Sequence, residues 1–418
     1  MIPLVDGQTI AVIGGGPGGI ACALALQRDA RRLGRSIEVL VFEPKRFDVD
    51  HNQCAGVLSP PLQRILRDEF EIELPPSLIQ REILGYVLHA GDEQLTLDGQ
   101  EYGGASLAVR RSEFDAYLAS CAQARGVTII PTSVTDLEFH PDGVLVFTWS
   151  GTYRAAAVVG AFGVGQAIAA ALARQTAYHP PPLLDAVITK IHPPGDHSQP
   201  IPNLLGNYIH VTLPPLPRVE FGAVIPKGNH ITIIAAGRGV GTTDMDALLA
   251  LPAIRRLLPE GAQPEGYYKG YFPVGLARGM VGERYVTIGD AAGLVRPFKG
   301  KGVNSAVITG MLAARTLLEE GVSARALHKF CRGCRDITGD ILYGTLVRRL
   351  AWLTAHHLSV APILRHAAGD PALRELLFDC VSGRETFRRI VLRKGNLPLA
   401  VKLGMAALAE RLRNGRVG

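Results

Sequence analysis

Thr9-Ile10-Ala11-Val12-Ile13-Gly14-Gly15-Gly16-Pro17-Gly18-Gly19 is the stretch whose reading decides the fold. Thr9 to Ile13 is a short β-branched apolar run, as a buried parallel strand requires. G-x-G-x-x-G follows at Gly14, Gly16 and Gly19, and IACALALQRDARR then reads as a helix rich in Ala and Leu. A second strand, Ile37 to Phe42, ends at Glu43. Gly14 allows a tight turn, Gly16 lets the backbone approach a pyrophosphate, and Gly19 lets helix and strand pack closely. The helix N-terminus offers unpaired N–H groups and a partial positive charge to phosphates. Glu43 can accept hydrogen bonds from ribose hydroxyls, and its charge disfavours a 2′-phosphate there. The motif alone is weak, but here it has the required strand before it, helix after it and acid at the end of the next strand.

The remainder of the chain bounds the answer. Its 418 residues allow roughly two to three structural units. Hydrophobic residues at 47% and charged residues at 20% permit a sizeable core. A net charge of +6, with basic residues dispersed among acids, is no nucleic-acid footprint. It leaves room for an anionic cofactor or an anionic membrane surface. Six cysteines in a chain this long read as reduced thiols of a cytoplasmic protein, not as a disulfide scaffold. The N-terminus lacks the pattern of a signal peptide, and no apolar run reaches transmembrane length.

A second glycine cluster, GDAAGLVRPFKGKGVN at 289–304, follows a probable strand, Arg284 to Ile288, and precedes a probable helix, SAVITGMLAARTLLEEG. Asp290 sits at the strand end, where a carboxylate can hydrogen-bond a polyol. Gly300 and Gly302 let backbone N–H groups face a ligand at the next helix N-terminus.

With these segments in place, the chain resembles the FAD-dependent oxidoreductases of the glutathione-reductase type. In particular it resembles the geranylgeranyl reductases and group A flavin monooxygenases. The resemblance rests on the GxGxxG with Glu43, VRRSEFDAYLASCAQARG at 109–126, VVGAFG at 158–163, and the GDAAG…GKGVN segment. These span nearly the whole chain in the family's order. The resemblance implies FAD, with Asp290 at its ribityl and pyrophosphate portion and the N–H groups of Lys301, Gly302, Val303 and Asn304 facing the flavin pyrimidine edge. Arg111 matches the family's flavin-contacting arginine; taken alone it reads as a surface cation. Ser112 with Asp115 resembles a capping box, and Phe114, Leu118 and Cys121 form an apolar stripe. One departure is Phe162, where the family usually has an acid. It implies altered packing, with FAD retained.

Geranylgeranyl reductases carry a cysteine–glycine motif after the second strand, matched here by Asn52-Gln53-Cys54-Ala55-Gly56-Val57. The resemblance implies that Cys54 lies near the isoalloxazine ring as a proton donor or pocket wall. Outside it, the residue reads as a small buried hydrophobe. The archaeal reductases' Y-x-W-x-F-P-K motif becomes Phe221-Gly222-Ala223-Val224-Ile225-Pro226-Lys227. Loss of the indole at Ala223 opens volume and points Phe221, Ala223 and Ile225 at a different or bulkier apolar compound. Tyr271 and Phe272, in YYKGYFPVG, are further substrate-contact candidates, with an aromatic loop packed between domains as the bland alternative.

Other chemistry is weak. Cys331-x-x-Cys334 is one close thiol pair in a helical pattern, short of the four ligands of structural zinc. His356 and His357 point to different helix faces. No metal site is expected, and HExxH, GxSxG and Walker A patterns are absent. From Phe387 on there are eight Lys or Arg and one acid, Glu410. Leu399, Leu403, Ala406 and Leu412 suggest an amphipathic helix for peripheral membrane contact, or one packed on the body.

The expected fold is α/β, with a Rossmann-type FAD-binding domain, an antiparallel-sheet substrate domain and a helical C-terminal part. The discontinuous FAD domain takes residues 1–75, 105–182 and 277–325, the substrate domain 76–104 and 183–276, and the helical region 326–418. The expected activity is hydride transfer from reduced flavin to a C=C bond of an isoprenoid-like or lipid substrate. NAD(P)H or ferredoxin would be the electron donor. The alternatives are an FAD-dependent monooxygenase and a non-catalytic flavin-binding electron carrier. The halogenase signature Trp-x-Trp-x-Ile-Pro is absent.

Overall fold

The computed structural model describes residues 2–46, 54–100, 104–195, 201, 205–296 and 302–394. Two large sheets, two three-stranded sheets and a group of C-terminal helices organise the described residues. The strand Thr9–Ile13 lies at the centre of a six-stranded sheet, parallel to Glu38–Phe42 on one side and Ala157–Gly160 on the other. Thr128–Ile130 and Tyr285–Thr287 extend it in parallel, and Val281–Gly282 closes one edge antiparallel. The central strands are buried on both faces, which explains their unbroken apolar runs.

Helix Pro17–Arg32 starts directly from the glycine turn and crosses helix Gly302–Glu320 at close range. That approach depends on missing side chains. A Cβ at Gly310 would stand 2.4 Å from the Gly18 carbonyl oxygen, and one at Gly18 would stand 3.0 Å from the Ala306 Cβ.

The second sheet has seven strands. Pro264–Pro273, Leu183–Ile191, Ile231–Gly237, Phe221–Pro226 and Tyr208–Thr212 run antiparallel in that order. The sheet is not antiparallel throughout: Tyr208–Thr212 runs parallel to Gly85–Ala90, which then pairs with Glu93–Asp98. The strand pair at 85–98 comes from an earlier part of the chain, and its entry through Leu84 fixes the parallel sense (Leu84 N–H donates to the Asn207 carbonyl, 2.7 Å).

The helices Arg335–His357, Ala361–Ala368 and Pro371–Ser382 pack against this sheet. Leu364, Ala367, Leu373 and Phe378 join Ile83, Tyr86, Leu95, Ala223 and Ile225 in one apolar core. A buried ion pair, Arg348 to Glu220 at 2.9 Å, ties the long helix to the sheet side. No helix among the described residues is long and apolar enough to cross a membrane. The basic stretch carrying Leu399, Leu403, Ala406 and Leu412 lies outside the described residues.

Candidate active site

The glycine turn has the shape its sequence requires. Gly14 has φ of 109°, and a Cβ there would stand 2.4 Å from the Ala161 carbonyl oxygen. A Cβ on Gly19 would stand 1.9 Å from the Gly14 oxygen, so only glycine allows helix and strand this close. Gly16 caps the helix in extended conformation and faces open space, with nothing within 4 Å of a notional Cβ. Pro17 occupies the first helical position, where its missing N–H is not needed.

Glu43 stands beside this turn and is nearly buried. Its Oε2 accepts from the Gly15 N–H at 2.7 Å and its Oε1 from the Lys45 N–H at 2.9 Å. The acid therefore braces the glycine turn directly, a role its position in sequence did not reveal.

The other end of the candidate site forms around Asp290, in the short turn Gly289–Ala292. Its carboxyl is raised above the usual carboxylate range by burial, against the pull of Arg111. A Cβ on Gly302 would meet Asp290 Oδ1 at 3.0 Å, so the first residue of helix Gly302–Glu320 lies directly against that carboxylate. Tyr178, fully buried, donates its OH to the Ala291 carbonyl at 2.7 Å and fixes the turn from behind. Phe162 packs edge-on against Tyr178, with ring centroids 6.1 Å apart. At the position where the family usually has an acid, Phe162 forms an aromatic pair with Tyr178 instead.

Arg111 joins these elements. Its guanidinium makes a two-pronged bond to Asp115, 3.0 Å at each prong. Burial works against its charge, but Asp115 and then Cys54 hold its pKa above the ordinary guanidinium value. The capping box expected from Ser112 and Asp115 does not form. The helix begins at Arg111 with no side-chain cap, because Asp115 is taken by the arginine one turn earlier. Cys54 is partly exposed and hydrogen-bonds the Arg111 side chain. Cys54, Arg111 and Asp290, 236 positions apart at their extremes, thus share one site.

Asn304, in the first turn of helix Gly302–Glu320, donates to the carbonyls of Ser59 (3.1 Å) and Pro60 (3.2 Å). Val303 is its neighbour on the same turn. Gly300 and Lys301 lie outside the described residues.

Asn304 and Ser305 also wall a cavity of about 300 Å³, at the lower end of the usual range for small-molecule sites. Ile83, Tyr86, Ile308 and Phe378 supply apolar walls, and Arg296 and Arg384 stand among its polar lining. None of Phe221, Ala223, Ile225, Tyr271 or Phe272 lines this cavity. Phe221, Ala223 and Ile225 share one face of their strand, with Ala223 and Ile225 buried in the core beneath the C-terminal helices. Phe221 meets Phe272, ring centroids 6.2 Å apart. Tyr271 projects to the opposite face from Phe272, so the two cannot wall one pocket; its ring lies under Lys269. The cavity's walls, Tyr86 and Phe378 above all, went unread in the sequence. Each is an ordinary apolar residue of a strand or helix, and only the packing of the C-terminal helices brings them together.

Burial pushes the Cys334 thiol to about 12 and raises that of Cys331, a setting for inert thiols. Among the described residues no group of three or more His, Cys, Asp or Glu could hold a metal ion.

The open space at Gly16, the helix N-terminus, the braced Glu43 and the Asp290–Gly302 contact fit an extended dinucleotide such as FAD. Gly14 and Gly19 stand where a Cβ would strike protein backbone, Gly16 leaves space beside the helix N-terminus, and Glu43 and Asp290 supply the carboxylates.

No family model matches the chain. It is 27% identical over 407 residues to a digeranylgeranylglycerophospholipid reductase of Methanothermobacter thermautotrophicus, covering 94% of this chain and 96% of that one. It is 26% identical to the menaquinone reductase of Mycolicibacterium smegmatis, covering 75% and 77%. Among solved structures, a geranylgeranyl bacteriochlorophyll reductase-like protein of Thermoplasma acidophilum superposes with a TM-score of 0.69 at 18% identity, over 94% of this chain and 97% of that one. Sequence and fold together set the chain among the relatives of the geranylgeranyl reductases, on the Rossmann-type scaffold of FAD-dependent oxidoreductases.

Proposed function

We propose that the chain is a reductase that adds hydrogen across a carbon–carbon double bond of an apolar, isoprenoid-like substrate. That it is an FAD-dependent oxidoreductase rests on its relatives and its fold. The reading of its substrate rests on one observation above others. Cys54, Arg111 and Asp290 converge beside the helix whose first turn also walls a cavity with apolar walls and two arginines in its lining.

FAD, when bound, would supply the hydride, with NAD(P)H or ferredoxin as the electron donor. The chain's own residues bind, orient and supply the proton. Gly16 and the N-terminus of helix Pro17–Arg32 would hold the pyrophosphate, Glu43 the ribose, and Asp290 the polyol. Arg111, locked by Asp115, orients Cys54, whose Sγ holds the proton for the second carbon. Ile83, Tyr86, Ile308 and Phe378 keep water from the substrate.

The test is anaerobic. Flavin reduced on the protein is mixed with a geranylgeranyl lipid, the visible flavin band is followed, and the lipid is weighed by mass spectrometry. Reoxidation with two hydrogens gained by the lipid is expected. Reoxidation only after oxygen is admitted would replace the proposal with a monooxygenase. Unchanged turnover in Cys54→Ala would remove the thiol from the mechanism.

A further inference from the structure

Lys227 has no part in the chemistry above, yet it is 2% exposed and its charge is expensive to bury. It continues the face of Phe221, Ala223 and Ile225 one step past the strand end. Its Nζ donates to the carbonyls of Gly56 at 2.8 Å and Val109 at 3.0 Å. The same Gly56 carbonyl accepts from the Val109 N–H at 2.8 Å. Gly56 has φ of 63°, and a Cβ there would stand 2.2 Å from the Val109 oxygen and 2.9 Å from Lys227 Nζ. The turn that carries Cys54 is thus closed tightly around the ammonium. Val109 leads directly into the Arg111 helix.

We propose that Lys227 is a positioning residue for Cys54: its ammonium pins the Cys54–Gly56 turn to Val109 and sets a second cation, beside Arg111, within electrostatic reach of the sulfur. Cations next to a thiol make it the stronger acid, hence the readier proton donor, and the thiolate they favour is the form that a labelling reagent attacks. The titratable and charged groups facing Lys227 are Cys54, Arg110 and Arg111, with His230, kept neutral by burial, on the adjoining strand edge. Burial pushes its ammonium down to about 7, with Cys54 opposing and the two arginines adding to the fall. The second cation is therefore present in mildly acidic solution and lost in mildly basic solution.

The inference extends the reading of Cys54 given above, but its readout needs neither flavin nor lipid. The rate of iodoacetamide labelling at the Cys54 peptide is followed by mass spectrometry from pH 6 to 9, with Cys121 as internal reference. In the unaltered protein the labelling profile should show an inflection near pH 7 in addition to the thiol's own. Lys227→Met should slow labelling at pH 6.5 roughly tenfold, the effect of one lost neighbouring charge. Lys227→Arg should keep the rate and abolish the inflection near 7. If Lys227→Met exposes the buried Cys22 to label, it has unfolded, and the Arg variant alone decides. A Cys54 profile in Lys227→Arg that matches the unaltered protein would overturn the proposal, as would an unchanged rate in a folded Lys227→Met.

Discussion

Glu43→Gln isolates the brace on the glycine turn. The unaltered carboxylate accepts from two backbone N–H groups, Gly15 at 2.7 Å and Lys45 at 2.9 Å, at a site 8% exposed. Glutamine offers one oxygen and one NH2, so one N–H keeps a neutral acceptor while the other faces a donor. Hydrogen bonds to a charged group contribute ~1.5–3 kcal/mol and neutral ones ~1 kcal/mol. Losing one charged bond and weakening the other should therefore lower unfolding free energy by ~3 kcal/mol without FAD. Removing the charged acceptor from the ribose should weaken FAD binding by a further ~1.5–3 kcal/mol, roughly 10- to 150-fold. Urea titration of the FAD-free protein reads the first effect, and quenching of flavin fluorescence reads the second. A variant with an unchanged urea midpoint and FAD affinity within twofold would refute the reasoning, because the two short bonds could then carry no energy.

Two further outcomes follow from buried geometry. His89 Nε2 and His210 Nδ1 are 2.8 Å apart, and burial first, then His210, pushes His89 down to about 4. The unfolded chain therefore takes up the proton first, and this contribution to stability, complete above pH 6.5, should fall by ~3 kcal/mol as pH drops to 4. His89→Leu should flatten that slope in urea titrations at successive pH values. Gly310→Ala places a methyl 2.4 Å from the Gly18 carbonyl oxygen and should cost ~1–3 kcal/mol while lowering FAD affinity, since Gly18 belongs to the phosphate turn; an unchanged melting temperature would show that the two helices slide freely.

The Rossmann half of the fold was legible because its constraints are local. A buried parallel strand must be apolar throughout, and a turn at Gly14 with φ of 109° admits little but glycine. Those needs are written in consecutive residues from Thr9 to Gly19. Arg111 and Cys54 were reached only through family resemblance, since nothing local marks either. The pairing of Asp115 with Arg111 contradicts the local rule that would make Asp115 a cap partner. A two-pronged charged bond outweighs a single capping bond, and sequence spacing does not show which one wins.

The seven-stranded sheet and the cavity mark the other limit. Alternation shows that Phe221, Ala223 and Ile225 share a face, but not what covers it. Only the docking of helix Pro371–Ser382 puts Phe378 opposite Tyr86 and makes a cavity between them. The same holds for Lys227, whose place after Pro226 gives no hint that Gly56 and Val109 will supply its acceptors from 171 and 118 positions away. The sequence by itself determined the dinucleotide turn, the acid at the end of the second strand and the apolar runs of the buried parallel strands. These depend on backbone conformation and side-chain volume within a few residues. The tertiary structure alone decided which buried groups meet, because burial energy rewards any apolar contact alike and the choice among contacts is settled by packing of the whole chain.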